Sequence, residues 1–139
     1  MPVRTKIDLN PALVRRVSGL DDLARIFFPD NRNHQRAFVA LWLEIKYADN
    51  QFLASTTDLA SRCELSVRTL EIVRAKLKKL GLIKRISHFN PAHGYRSGWV
   101  FSPRFRSALS AMSAALASAS HVSDLPLDQE KDKASLQFI

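Results

Sequence analysis

The chain has 139 residues, nearly half of them apolar, and a formal net charge of +8. This is enough for one core with a helix or tail appended, and no apolar run approaches the ~18 residues that span a bilayer. No apolar run follows the opening charges, so no signal peptide is expected; Cys63 is the only cysteine, which excludes an intrachain disulfide and argues against a four-ligand structural zinc site.

A cytoplasmic protein is the simplest expectation. The charge is unevenly distributed. Residues 1–54 carry eight Lys/Arg against six Asp/Glu, residues 55–106 eleven against three, and residues 107–139 two against four. The central segment supplies the whole excess, and a localised basic face is the electrostatic footprint of a nucleic-acid binder. A merely solvated surface is the alternative.

Asn10-Pro11 predicts an N-cap and a first helical proline for a helix over Ala12–Val17, broken by Ser18-Gly19. Asp21 and Asp22 open a second short helix, stopped by Pro29-Asp30-Asn31. From His34 to Ala48 a longer helix is expected, with Phe38, Leu41, Trp42 and Ile45 on one face and Val39 and Leu43 beside it. Asp49-Asn50 reads as a turn and Gln51–Leu53 as a short extended piece.

Ser55 or Thr56 is expected to cap the next helix, with Asp58 completing a capping-box-like pattern. Leu59, Ala60 and Cys63 form its inward side. Ser66 caps a further helix with an inward stripe of Leu70, Val73, Leu77 and Leu80. Gly81 ends it, with Lys78 and Lys79 suited to the negative end of the dipole. Leu82–Ser87 has strand character, His88–Gly98 reads as a loop because of Pro91, Gly94 and Gly98, and Trp99–Phe101 returns as a second strand. Ser107–Ser120, Ala and Ser around Leu109, Met112 and Leu116, reads as a helix with a narrow apolar seam. From His121 onward a polar tail is expected.

The order helix, short strand, helix, turn, helix, strand, loop, strand over about residues 34–102 resembles a winged helix-turn-helix domain. Leu59-Ala60, Leu65-Ser66, Thr69-Leu70, Leu77, Leu80 and Gly81-Leu82-Ile83 carry the resemblance, whose spacing is similar to that of bacterial winged-helix regulators. Two features depart from it: Cys63-Glu64 stands where the turn often has glycine, and the wing is long and contains proline. The implied fold class is mainly α (α+β), a three-helix core with a small β-hairpin wing, extra N-terminal helices and a C-terminal helix. The domains would be an N-terminal helical extension (1–33), the DNA-binding domain (34–106), an Ala/Ser-rich helix (107–120) and the tail (121–139).

A helix fits the major groove, where base edges show distinct donor and acceptor patterns, and a second helix must brace it. With Leu70 and Val73 inward, Val67, Arg68, Glu71, and also Thr69 and Ile72, are the outward positions behind the Ser66 cap. That helix end points amides at any phosphate. Arg68 is the leading base-contact candidate; Thr69 suits a base edge or a phosphate, and Arg74, Lys76 and Lys78 suit backbone phosphates. Glu71 either accepts from a cytosine or pairs with Arg74. In the wing, Tyr95 and Arg96 near the tip and Lys84 and Arg85 at the base would lie over the minor groove or the backbone.

Cys63 reads as a small buried apolar residue or a redox sensor; His88 and His93 lack a clear third metal ligand. Trp42, Phe38 and Trp99 suit core packing or an effector pocket. Carboxylates are scattered, and no phosphate loop or nucleophile elbow is present, so neither an enzyme nor a cofactor is expected. The resemblance implies a nucleoid-associated homodimer that binds double-stranded DNA as a transcriptional regulator. Two alternatives stay open: a plasmid or phage replication or partition protein, with a partner at the C-terminal end, and a protein-interaction adaptor that binds no DNA.

Overall fold

A computed structural model describes residues 3–92 and 94–139. Two compact units are present, one ending at Phe105 and the other spanning Arg106–Ile139. The first is mainly helical with a small antiparallel two-stranded sheet. Among the described residues no helix is long and apolar enough to cross a membrane.

α1 (Pro11–Arg15) is shorter than its sequence suggests; Asn10 caps it by accepting from the Ala12 amide at 2.9 Å. In α2 (Leu20–Phe27), Gly19 occupies the N-cap position, and Asp21 and Asp22 lie in the first turn. The Asp22 carboxylate accepts from the Ser18 amide and hydroxyl, which holds its pKa below the usual value. α3 (Arg32–Lys46) starts two residues earlier than expected because Asn31, not a later residue, accepts from the His34 amide. Ala37, Phe38, Leu41 and Ile45 are wholly buried on its inner face, while Trp42 is partly buried against it. The N-terminal segment is part of this core: Phe27 and Phe28 each pack on the Phe38 ring, at centroid distances of 5.9 and 5.8 Å.

After a 3-10 turn at Asp49–Gln51, Leu53 pairs with Trp99, exchanging two backbone hydrogen bonds of 2.9 and 2.8 Å. The expected capping box does not form. Ser55 accepts from the Thr57 amide, and Asp58, at the N-cap of the single-turn α4 (Leu59–Arg62), instead meets Arg62 at 3.5 Å. Thr56 is buried and caps nothing with its side chain, because its hydroxyl accepts from Arg74.

Ser66 accepts from the Thr69 amide at 3.0 Å and starts α5 (Val67–Leu80). Its inward stripe, Leu70, Val73 and Leu77, is buried against α3. Gly81 ends it in the left-handed region at φ 90°, and the Arg104 guanidinium donates to the exposed carbonyls of Lys78 and Lys79. Between α4 and α5 the chain reverses through Glu64 at φ 53°, the conformation a turn glycine would supply.

β1 (Ile83–Asn90) and β2 (Gly94–Phe101) pair in register from Ile83↔Phe101 to Asn90↔Gly94. Most of the segment read as a loop is therefore strand. Gly94, at φ 73°, absorbs the reversal within a short turn, and cross-strand pairs such as Phe89–Tyr95 continue the ladder outward. Gly98 lets the Phe52 ring lie on the strand, where a Cβ would come within 2.6 Å of it.

In the second unit, residues 106–120 continue α6 (Arg104–Ser120) as an exposed helix. The polar tail expected from His121 instead forms α7 (Leu125–Ser135), capped by Asp124, followed by a 3-10 turn at Leu136–Phe138. Asp128 reinforces that start by accepting from the amides of Ser123 and Asp124, which lowers its pKa.

The left-handed positions give a paired stability prediction. Glu64→Gly should raise the unfolding free energy by up to about 1 kcal/mol by relieving a strained φ. Gly81→Ala should lower it by about 1–3 kcal/mol, because its Cβ would also meet the Arg104 guanidinium at 2.8 Å. Urea denaturation of both variants checks the opposite signs.

Candidate nucleic-acid interface

The outer side of α5 follows from its inner side. With Leu70, Val73 and Leu77 inward, Val67, Arg68, Glu71, Ile72, Lys78 and Lys79 are exposed. Val67, 61% exposed in the first turn, is apolar surface that nothing in the first unit covers. Arg68 stands beside it and, among the described residues, makes no ion pair. Ser66 and Thr69 are committed to each other: the Ser66 hydroxyl donates to Thr69 Oγ1 at 2.7 Å and accepts from the Thr69 amide. Thr69 is therefore a half-buried cap residue with only its own hydroxyl proton left to give.

Arg74 does not pair with Glu71. Its guanidinium turns to Thr56 Oγ1 at 2.8 Å and lies 5.0 Å from the Trp99 ring centroid. Arg85, from β1, lies 5.9 Å from the same indole. Trp99 thus joins the middle of α5 to the base of the hairpin, and two cations converge on it.

Strand register divides the four hairpin candidates. Paired residues share a face, and faces alternate along each strand. Arg85↔Trp99, Ser87↔Ser97 and Phe89↔Tyr95 lie on one face, whereas Lys84↔Val100 and His88↔Arg96 lie on the other. Tyr95 and Arg96, adjacent in sequence, point apart, as do Lys84 and Arg85. His88 rests on the Phe52 ring, 5.2 Å between centroids, and His93 lies outside the described residues.

Comparisons of the chain with protein-family models, with curated proteins and with solved structures give no match.

Lys76 is a correction to the sequence reading. It sits in a basic run, Lys76-Leu77-Lys78-Lys79, but is buried, and its ammonium donates to the backbone carbonyls of Lys6 and Phe27 while lying 4.6 Å from the Phe28 ring centroid. It is unavailable to a phosphate. Burial pushes its pKa below the usual lysine range. His34, edge-on to Phe28 at 6.0 Å, is likewise held below the usual histidine value, first by burial and then by the nearby Lys76 charge.

A separate hollow of about 600 Å³ lies between α2, α3 and the α4–α5 turn, rimmed by Arg25, Arg32, Arg36 and Arg62. Three of those guanidinium groups are engaged: Arg25 with Asp22 at 3.3 Å, Arg36 with the Cys63 carbonyl at 3.2 Å, and Arg62 with Glu44 at 2.8 Å. The Glu44 bond holds Arg62 in its charged form. Cys63, half-buried in this wall, packs against the core. Two of the four arginines thus have a carboxylate partner, and Arg36 is held in place by a neutral carbonyl.

Three further residues support this surface: Thr56, which the sequence marks only as a cap, Trp99, which it marks for core packing or an effector pocket, and Arg104, which it does not mark. Each acts across a distance in sequence: Arg74 to Thr56 spans 18 residues, and Arg104 to Lys78 spans 26.

His34 gives the pH prediction. With a folded-state pKa below 6.5, the folded chain resists protonation more than the unfolded one, so its stability contribution is present above pH 6.5 and lost as pH falls through the lowered value. Melting temperatures between pH 7.5 and pH 5 should fall less steeply for His34→Gln than for the wild type. Lys76→Met should also flatten the slope by removing the second cause.

Proposed function

We propose that this chain is a winged helix-turn-helix protein that binds double-stranded DNA and serves as a sequence-specific transcriptional regulator. α5 enters the major groove, and the hairpin contacts the backbone or the adjacent minor groove. The observation that carries this reading is the convergence of the middle of α5 and the base of the basic hairpin at Trp99, whose ring lies near both Arg74 and Arg85. From Ile72 to Phe105 the chain has eight Lys/Arg, of which Lys76 is buried, and no carboxylate, so past the exposed Glu71 this surface presents a polyanion with little to repel it. The pairing of Leu53 with β2 supports the same reading, because its two backbone hydrogen bonds to Trp99 tie the base of the hairpin to the segment before α4.

Arg68 and Val67 take the base-facing role. An exposed arginine matches guanine acceptors, and an apolar side chain matches a thymine methyl. The Thr69 hydroxyl and the amides left free at the helix start hold a phosphate, with Ser66 orienting Thr69. Lys78, farther along α5, is a backbone contact. On the hairpin, Arg85 and Tyr95 share the Trp99 face, next to α5. Lys84 and Arg96 lie on the reverse face and reach phosphate only where the hairpin stands edge-on in a groove.

Two copies acting on matched half-sites would supply the specificity one module lacks. α6 supports this: its residues 107–120 carry no charge, and Leu109, Met112 and Leu116 are exposed at steps of three and four. Such a seam in an Ala/Ser setting allows close helix–helix approach.

Fluorescence-anisotropy titration of a duplex pool at several salt concentrations tests the reading. Binding should weaken steeply with salt, with two chains per selected duplex at saturation. Arg68→Ala should erase mainly the preference for selected sequences, costing about 1–3 kcal/mol, while Arg85→Ala should weaken all sequences alike and reduce the salt slope by about one. Absence of binding at low salt would refute the proposal.

A further inference from the structure

The hairpin ends in a feature that phosphate contact does not explain. Phe89 and Tyr95, opposite each other across the last pairs of the ladder, are 63% and 78% exposed. Their ring centroids are 5.2 Å apart and the planes are inclined by 58°. Cross-strand aromatic contact stabilises a hairpin, but phenylalanine at an exposed tip offers no hydrogen bond to solvent or to a phosphate. What its free face offers a nucleic acid is stacking.

The rest of that face suits the same partner. Below the rings, Ser87 and Ser97 face each other with their hydroxyl oxygens 3.0 Å apart, and below them Arg85 stands by Trp99. From base to tip the face runs from cation to hydroxyl pair to aromatic pair, and each β-pair step of two residues advances it by roughly 6.6 Å. A charge and two hydroxyls suit sugar and phosphate, and the rings suit the base beyond. No carboxylate occurs anywhere in the hairpin, so the partner it complements is anionic.

Ring inclination distinguishes the form of DNA. A single flat blade would enter between stacked bases, which are separated by roughly 3.4 Å along a strand. Two rings tilted by 58° and already touching each other are too thick to enter such a stack and leave only their outer faces free. An outer face of this kind receives one base that has already left its stack. We infer that Phe89 and Tyr95 form a seat for an unpaired base at an irregular point in duplex DNA. The inference rests on the DNA-binding reading above and adds a preference for a locally opened duplex.

The test compares a fully paired duplex with the same duplex carrying one bulged 2-aminopurine, by anisotropy and by 2-aminopurine emission, at one moderate salt concentration. Wild type should bind the bulged duplex on the order of five- to tenfold more tightly and quench the emission. Phe89→Ala should reduce that preference to within twofold and abolish quenching, while keeping its affinity for the paired duplex. Phe89→Tyr, which keeps both rings, should retain the preference, and loss of the ring contact in Phe89→Ala should lower the circular dichroism melting temperature by only a few degrees.

Equal wild-type affinity for the two duplexes, or a preference that survives Phe89→Ala, overturns the seat while leaving DNA binding intact. An equal loss on both duplexes also overturns it, since the rings would then only brace the hairpin. Failure of the wild type to bind either duplex removes the DNA-binding reading itself, and the seat with it.

Discussion

The burial of Leu70, Val73 and Leu77 against α3 is the constraint on which the rest depends. Those three side chains are at most 3% exposed, and they meet the equally buried Phe38, Leu41 and Ile45. A helix gripped along one stripe has no freedom to rotate, so the stripe determines which side chains look outward. Val67, Arg68 and Glu71 are exposed for that reason and not because polar residues prefer the surface. Both ends of the same helix are closed by groups outside it, Ser66 at the start and Gly81 with Arg104 at the end. Its position along its axis is therefore as constrained as its rotation.

The hairpin takes its position from this helix. Trp99 lies among the core residues, exchanges backbone hydrogen bonds with Leu53, and carries Arg74 and Arg85 near its ring. One large aromatic anchor thus places a long exposed ribbon beside the exposed face of α5. Charge follows the same division. The arginines around the α2–α3 hollow are largely occupied by Asp22, Glu44 and a backbone carbonyl, whereas the stretch after Glu71 contains no acidic residue within the first unit. Local ion pairs offset part of the charge on one surface and leave the other with its positive potential.

The elements legible in the sequence were those specified by short-range signals. Asn10-Pro11, the Ser66 cap, the Gly81 stop and the apolar spacing of α3 and α5 each act within a few residues, and the structure forms them where they were read. Long-range effects were hidden. Lys76 looked like part of a basic run because its carbonyl partners lie 70 and 49 residues away. Thr56 looked like a cap because its real partner, Arg74, is on another helix. Glu64 takes a left-handed φ without the glycine that would announce it. The ladder beyond His88 was obscured by Pro91 and Gly94, which belong only to its turn and edge. Register, invisible in composition, then set Tyr95 and Arg96 on opposite faces. The outward set on α5 was readable; the division of the hairpin was not.

The central claim is that the first turn of α5 and the Trp99 face of the hairpin form one surface that DNA covers. The most direct measurement is a backbone amide chemical-shift map of the 15N-labelled protein titrated with duplex DNA. The account predicts that shifts concentrate at residues 66–72 and 84–97, with Arg25, Arg32 and Arg36 little changed. Shifts centred on the α2–α3 hollow, with α5 and the hairpin unmoved, would contradict it.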